Sequence, residues 1–288
     1  MRADRNILTA WALNTAFCTA EFVVGTWTGS VAILSDAVHD LGDSLALGLA
    51  WYLQRLSARN RDAKYSYGYR RFSILGAVVN SVVLLVGAGV MVREALFRLT
   101  SDELPHADGM AAFALLGIAV NGYAAVRLRT GKSLNERTLA LHLFDDVLGW
   151  VAVLIVGITL KFVALPWLDP LLSLAFSAFI VRNAVKNLGE GMNIFLQSTP
   201  KGLDEARIRS AILAVEGVKA VHDLHLWTLD GEYHVASVHV VIAPPDSFPS
   251  TRILTHEIRR RLKSMGLQHL TIEIEVHDEF YHSSVSGD

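Results

Sequence analysis

The residue pattern points to an α-helical membrane protein with six transmembrane helices followed by a C-terminal α+β domain. Six apolar runs approach the roughly 20 residues that a helix needs to cross a bilayer. Apolar residues make up 52% of the 288 positions, and the mean hydropathy of +0.35 is high for a soluble domain of this length. After position 197 the long apolar runs stop, and short helical and strand periods take over.

The runs fall at 7–25, 31–53, 72–97, 109–128, 139–162 and 168–187. The first has the basic start of a signal peptide in Arg2 and Arg5, with Thr19-Ala20 ahead of a cleavage point. Its apolar pattern continues past Glu21 through Phe22, Val23 and Val24, which favours a span. No lipobox precedes Cys18, the single cysteine, which lacks a second thiol for a disulfide or a zinc knuckle and reads as packed in a helix. Basic residues collect after the second run (Arg55, Arg59, Arg61, Lys64, Arg70, Arg71) and after the fourth (Arg127, Arg129, Lys132, Arg137). Those loops are expected in the cytoplasm; only Arg93 and Arg98 argue the other way. An even number of spans then puts both termini inside. The net charge of −2, and the absence of a basic patch interleaved with aromatics, exclude a nucleic-acid partner.

The expected organisation is a six-helix transmembrane domain over 1–196, a linker over 197–203, a cytoplasmic α+β domain over 204–280 and a tail over 281–288. Proline and glycine punctuate Gln197-Ser198-Thr199-Pro200-Lys201-Gly202, which cannot continue a membrane helix. Ile208, Ile212 and Val215 mark an amphipathic helix over 204–215. Strands over 218–229 and 233–242 meet at the hairpin signal Asp230-Gly231. A helix over 251–265 and a strand over 270–277 complete an αββαβ order, that of a small open-faced sandwich.

The chemistry lies where charge is most costly. An aspartate at mid-bilayer costs about 2.5 kcal/mol even on the lowest scales, so it needs a partner or a water-filled cavity. The second run nevertheless holds Ser35-Asp36-Ala37-Val38-His39-Asp40-Leu41-Gly42-Asp43. At about 100° per residue, His39 and Asp43 lie roughly 40° apart on one helical face. The fifth run repeats the spacing in His142 and Asp146. Two helices, each with an imidazole and a carboxylate, supply the four ligands that tetrahedral zinc takes. Spacing leaves Asp36 and Asp145 open as alternatives, since each is three residues from its histidine. Asp40, about 100° from His39, is the least suited.

These motifs resemble the cation diffusion facilitators, and within them the zinc-exporting branch. The resemblance runs through Thr28-Gly29-Ser30, Leu34-Ser35-Asp36-Ala37-Val38-His39, Tyr67-Gly68-Tyr69-Arg70-Arg71 with Asn80, and Ser133-Leu134-Asn135 leading to His142 and Asp146. It continues in Gln197-Ser198-Thr199-Pro200 and Val221-His222-Asp223-Leu224-His225-Leu226-Trp227. It implies a homodimeric six-helix exporter with a cytoplasmic ferredoxin-like domain and a transport site of His39, Asp43, His142 and Asp146, choosing Asp146 over Asp145. Some members carry a second site between the second and third helices; here 59–70 holds Asp62 and no histidine, so none is expected. Asp62 and Lys64 read as solvated or as a surface ion pair.

The resemblance also implies a regulatory metal cluster in the C-terminal domain. His222, His239 and His277 fall at matching motifs, Glu275 stands close by, and His256 matches less well because the preceding loop differs in length. Strand alternation turns Ile272, Ile274 and Val276 one way and Glu273, Glu275 and His277 the other. His225 and Trp227 read as packing, and His106 and His282 as exposed and idle.

Zinc binds neutral imidazoles and ionised carboxylates, so protons and metal displace one another. The expected function is Zn2+/H+ antiport out of the cytoplasm, with cadmium, cobalt or ferrous iron as competing cargo and zinc also as the regulatory ligand. Protons are the counter-ion, and the lipid bilayer and a second copy of the chain are the partners. Compact loops without a long histidine-rich insertion lean towards a bacterial cytoplasmic membrane. A membrane metal sensor and an intramembrane metalloenzyme are the competing classes. The latter needs an open metal position and a base, as in HExxH, whereas His256-Glu257 is followed by Ile258, Arg259 and Arg260.

Overall fold

Each apolar run forms a helix that extends beyond it, by a single residue at each end of the third run and by about two turns at the end of the sixth. They are α1 (Arg2–Thr28), α2 (Val31–Ser57), α3 (Arg71–Arg98), α4 (Ala107–Arg129), α5 (Leu134–Phe162) and α6 (Leu168–Phe195). The computed structural model describes residues 2–57, 59, 61–129, 134–242 and 248–276; the side chain of His142 and all of His277 and His282 lie outside the described set.

Among the described residues, four helices are long and apolar enough to cross a membrane: Arg71–Arg98, Ala107–Val126, Leu143–Phe162 and Leu168–Phe195. The six transmembrane helices read from the sequence are corrected to these four. In α2, Asp36, His39, Asp40 and Asp43 break the apolar run within about two turns. In α1, the described side chains include Asn14 and Glu21, the latter fully buried.

Two compact units form. The first comprises Met1–Arg55 with Gly76–Leu188, the second Leu56–Leu75 with Gly189–Asp288. In the first, α4 and α5 pack along their lengths around Met110, Phe113, Trp150, Val153 and Val156. Phe113 meets Trp150 edge-on at 5.3 Å, a favourable geometry for the ring quadrupoles. Trp150 is 1% exposed because Gly117 of α4 leaves room for its ring, and a Cβ there would overlap the indole. Gly117→Ala is expected to cost about 1–3 kcal/mol through overpacking, read as a lower unfolding temperature in detergent.

Three neighbours fix α2. Asn14 of α1 donates to the Asp40 carbonyl at 3.1 Å and to Ser44 Oγ at 3.0 Å. Cys18, buried as expected, donates to the Ala37 carbonyl at 3.3 Å. From α6, the Asp169 carboxylate accepts from Ser30 Oγ (2.5 Å), Val31 N (2.7 Å) and Ala32 N (3.4 Å). It caps a helix start that would otherwise hold orphan N–H groups.

The second unit has the αββαβ order: α7 (Glu205–Leu213), β1 (Val218–Thr228), β2 (His234–Ile242), α8 (Phe248–Ser264) and β3 (Leu267–Val276). The sheet runs β1-β2-β3, with β1 and β2 antiparallel and β2 and β3 parallel. Asp204 caps α7, accepting from Ala206 N at 2.9 Å. Ile208 and Ile212 of α7 and Ile258 and Leu262 of α8 pack on Val238, Val240 and Leu270 of the sheet, with Ile272, Ile274 and Val276 beside them. That layering leaves the other face of the sheet for polar groups. The third strand starts at Leu267, three residues earlier than the sequence suggests, because Gly266 (φ +93°) turns the chain directly out of α8.

Asp62 and Lys64 are both exposed, the solvated alternative of the sequence reading, and Asp62 also orders the backbone around it. Its Oδ1 accepts from Lys64 N (2.9 Å) and Tyr65 N (2.8 Å), and its Oδ2 from the Tyr69 hydroxyl (2.7 Å). These bonds hold its carboxyl below the usual range, the Tyr69 hydroxyl foremost, and shape the loop between α2 and α3.

Candidate metal centres

Inside the first unit, α2, α5 and α6 enclose a cavity of about 430 Å³. Ser35, Asp36 and His39 face it from α2, Asp145 and Asp146 from α5, and Phe176 and Phe179 from α6. The periodicity of α2 explains its three: they lie at i, i+1 and i+4, a polar stripe on an otherwise apolar helix. His39 Nε2 stands 4.0 Å from Asp43 Oδ2, and its ring meets Phe179 edge-on at 6.4 Å. Ser35 and Ser173 share a hydrogen bond of 2.6 Å between α2 and α6. The structure therefore brings His39 and Asp146 to one cavity with Asp36 and Asp145, and places Asp43 next to His39 without lining the cavity. Asp40 is 9% exposed and does not line it.

Two buried acids have no role in the sequence reading. Glu21 of α1 is 0% exposed, and its carboxyl lies against that of Asp40 in α2. The signal for it is a lone acid inside an apolar run, which the span assignment absorbs as tolerated. Asp169 has the α2 cap described above.

A second group lies on the open face of the sheet in the other unit. His222 of β1 pairs with His239 of β2 across the antiparallel ladder, and His239 pairs with Glu273 of β3. Glu275 reaches both histidines: His222 Nε2 lies 2.9 Å from its Oε2, and His239 Nδ1 lies 2.7 Å from its Oε1. One ligand atom from each of the three falls within 4.8 Å of the others. Burial pushes the Glu275 carboxyl up, but the hydrogen bonds from His239 and His222 outweigh it and hold the group below the usual range. Two imidazoles and an ionised carboxylate are a donor set that fits zinc, with a fourth position open.

A register shift in β1 between His222 and His225 adds a neighbour. Asp223 adopts φ +49°, and its Oδ2 lies 3.5 Å from His239 Nε2, as does Oε2 of Glu273. Strand alternation alone cannot foresee that bulge. His225 is exposed and bonded to Asp223 at 2.8 Å; the expectation that it packs is corrected by the same bulge. His106 is exposed but not idle, since its Nδ1 accepts from Gly109 N at 3.0 Å and its ring lies 5.2 Å from Trp27. His256 sits on α8, the layer that covers the opposite face of the sheet, and is not among the three convergent residues. His222→Ala or His239→Ala is expected to weaken zinc binding, measured by titration calorimetry. The loss should exceed the roughly 10- to 100-fold typical of outer-shell partners; unchanged affinity in both would remove the cluster.

The family model described as the cation efflux transmembrane domain matches residues 7–196, and that of the cation efflux protein cytoplasmic domain matches residues 200–277. The chain is 32% identical over 275 residues to the metal cation efflux system protein CzcD of Cupriavidus metallidurans, covering 95% of this chain and 87% of that one. It is 29% identical over 273 residues to a cadmium, cobalt and zinc/H(+)-K(+) antiporter of Bacillus subtilis, covering 93% and 88%. It is 32% identical over 246 residues to the zinc transporter ZitB of Yersinia pestis, covering 84% and 78%. The chain belongs to the cation efflux family, the cation diffusion facilitators, and is a secondary active transporter of divalent cations rather than an enzyme.

Proposed function

We propose that the protein exports zinc from the cytoplasm in exchange for protons, as a homodimer in a bacterial cytoplasmic membrane with both termini inside. The observation that carries the reading is the cavity among α2, α5 and α6, where His39 and Asp146 meet from helices far apart in sequence. Asp43 stands beside His39, and His142 precedes Asp146 by one turn. The four together are two nitrogen and two oxygen donors, which suit zinc and admit cadmium, cobalt or ferrous iron. The names of the relatives from Bacillus subtilis and Yersinia pestis, which include zinc, support that choice.

Exchange follows from ligand chemistry. Metal requires both imidazoles neutral and both carboxylates ionised, so each proton that binds on the outer side favours release. The site loads when open to the cytoplasm and unloads after the helices rock to face outward. Exporting two positive charges works against the membrane potential by about 2.3 kcal/mol per charge per 100 mV, and two returning protons cancel it. The cluster of His222, His239 and Glu275 serves as a cytoplasmic regulatory zinc site.

Inverted vesicles containing the protein should accumulate radiolabelled zinc while a pH dye reports loss of internal protons, and a protonophore should stop both. Zinc accumulation indifferent to the protonophore would eliminate the proton coupling. No accumulation, with zinc still bound to the cytoplasmic domain, would leave a sensor.

A further inference from the structure

The second unit holds another cavity, of about 340 Å³, that neither metal centre uses. Three cations line it, Lys64, Arg70 and Arg71, with Tyr67, Gln197 and Trp227 among its other walls, and among the described residues no aspartate or glutamate does. Arg70 is answered from outside: its Nη1 lies 3.0 Å from Asp230 Oδ2, and its guanidinium lies 4.5 Å from the centre of the Tyr233 ring. Lys64 and Arg71 have no acid opposite them in the lining. Asp62, close in sequence, has its oxygens taken up by the N–H groups of Lys64 and Tyr65 and the hydroxyl of Tyr69. The Arg71 Nε is buried without a hydrogen-bond partner, an arrangement that costs free energy unless something supplies an acceptor.

Placement narrows the chemistry of that acceptor. Arg71 is the first residue of a helix long and apolar enough to cross a membrane. The cavity therefore stands where such a helix meets the headgroup layer, with aromatic and basic side chains of the kind that favour this depth. The positive end of the α3 dipole adds to the field there. The volume exceeds what a single small ion fills and falls in the range of small-ligand sites.

We propose that this cavity binds a phosphate oxyanion, presented by the headgroup of an anionic phospholipid or by free phosphate. Arg71 and Lys64 supply the charge, Tyr67 and Gln197 the polar groups at its walls, and Trp227 an aromatic surface for the glycerol and first methylenes. A site of this kind ties the loop between α2 and α3 to the bilayer surface, and headgroup charge then acts on the unit that carries the regulatory cluster.

The test is native mass spectrometry of the full chain in detergent, with short-chain phosphatidylglycerol, short-chain phosphatidylcholine and inorganic phosphate as separate probes. Phosphatidylglycerol should be retained at least about fivefold over phosphatidylcholine, on the scale of one cationic side chain at a membrane surface. The preference should fall away in Lys64→Gln and in Arg71→Gln. Preference for phosphatidylglycerol undisturbed by inorganic phosphate assigns the site to the lipid, and retention of phosphate with no lipid preference assigns it to the free ion. Equal retention of the two lipids with no bound phosphate overturns the proposal. So does a preference that survives both substitutions. Lys64 is exposed, so its variant decides the matter even if Arg71→Gln does not fold.

Discussion

His39→Ala should abolish zinc-driven proton release from proteoliposomes of the full chain, with any residual rate at least about 100-fold below that of the unaltered protein. Ligand count sets the size of the effect. Three donors leave a tetrahedral cation with a solvent position, and in the proposed exchange the imidazole is also one of the groups whose protonation drives release. Asp146→Ala should behave alike because Asp146 lines the same cavity as His39 and, in the proposed site, supplies half of the negative charge that balances the metal. Asp145 lines the same cavity, so Asp145→Asn is the informative companion: retained flux there, with loss in Asp146→Ala, separates two neighbouring carboxylates that spacing leaves equivalent. Undiminished flux in both His39→Ala and Asp146→Ala would refute the assignment.

Helix positions were legible because apolar runs of the right length leave a chain few alternatives, and each predicted run has its helix. Membrane crossing was less so. Counting apolar residues treats α2 as a span, although Asp36, Asp40 and Asp43 within two turns disqualify it, and the same polar stretch supplies Asp36 and His39 to the cavity. The order of the C-terminal elements and the inward turn of Ile272, Ile274 and Val276 followed from periods of 3.6 and 2. What depends on long-range contact was not legible. The bulge that brings Asp223 to His239 has no period, and His256 stays apart from the three convergent residues because α8 covers the far side of the sheet. The α2 cap lies 138 residues from the N–H it serves, so no local motif announces it.

That cap gives the second large effect. Asp169→Ala should lower stability by about 3 kcal/mol or more, because it strands buried donors that each cost roughly 1–3 kcal/mol when unmade. The residue is 1% exposed, so water cannot replace the lost carboxylate without opening the contact between α6 and α2. Val31 N at 2.7 Å and Ser30 Oγ at 2.5 Å lose their acceptor together. At the usual scaling for a chain of this size the unfolding temperature in detergent should drop by about 6 °C or more. Asp169→Asn should fall between the two, since an amide keeps one acceptor oxygen but turns its NH2 toward groups that are themselves donors. Function should follow stability only in part. His39 lies about 13 Å along α2 from Ser30, and a frayed first turn leaves it on the same face but shifts it against α5 and α6. Zinc flux measured well below the unfolding temperature should therefore be reduced in Asp169→Ala rather than lost as in His39→Ala. If Asp169→Ala melted with the unaltered protein, the carboxylate would not be what holds the start of α2, and the placement of His39 would have to rest on Asn14, Cys18 and Ser35 alone.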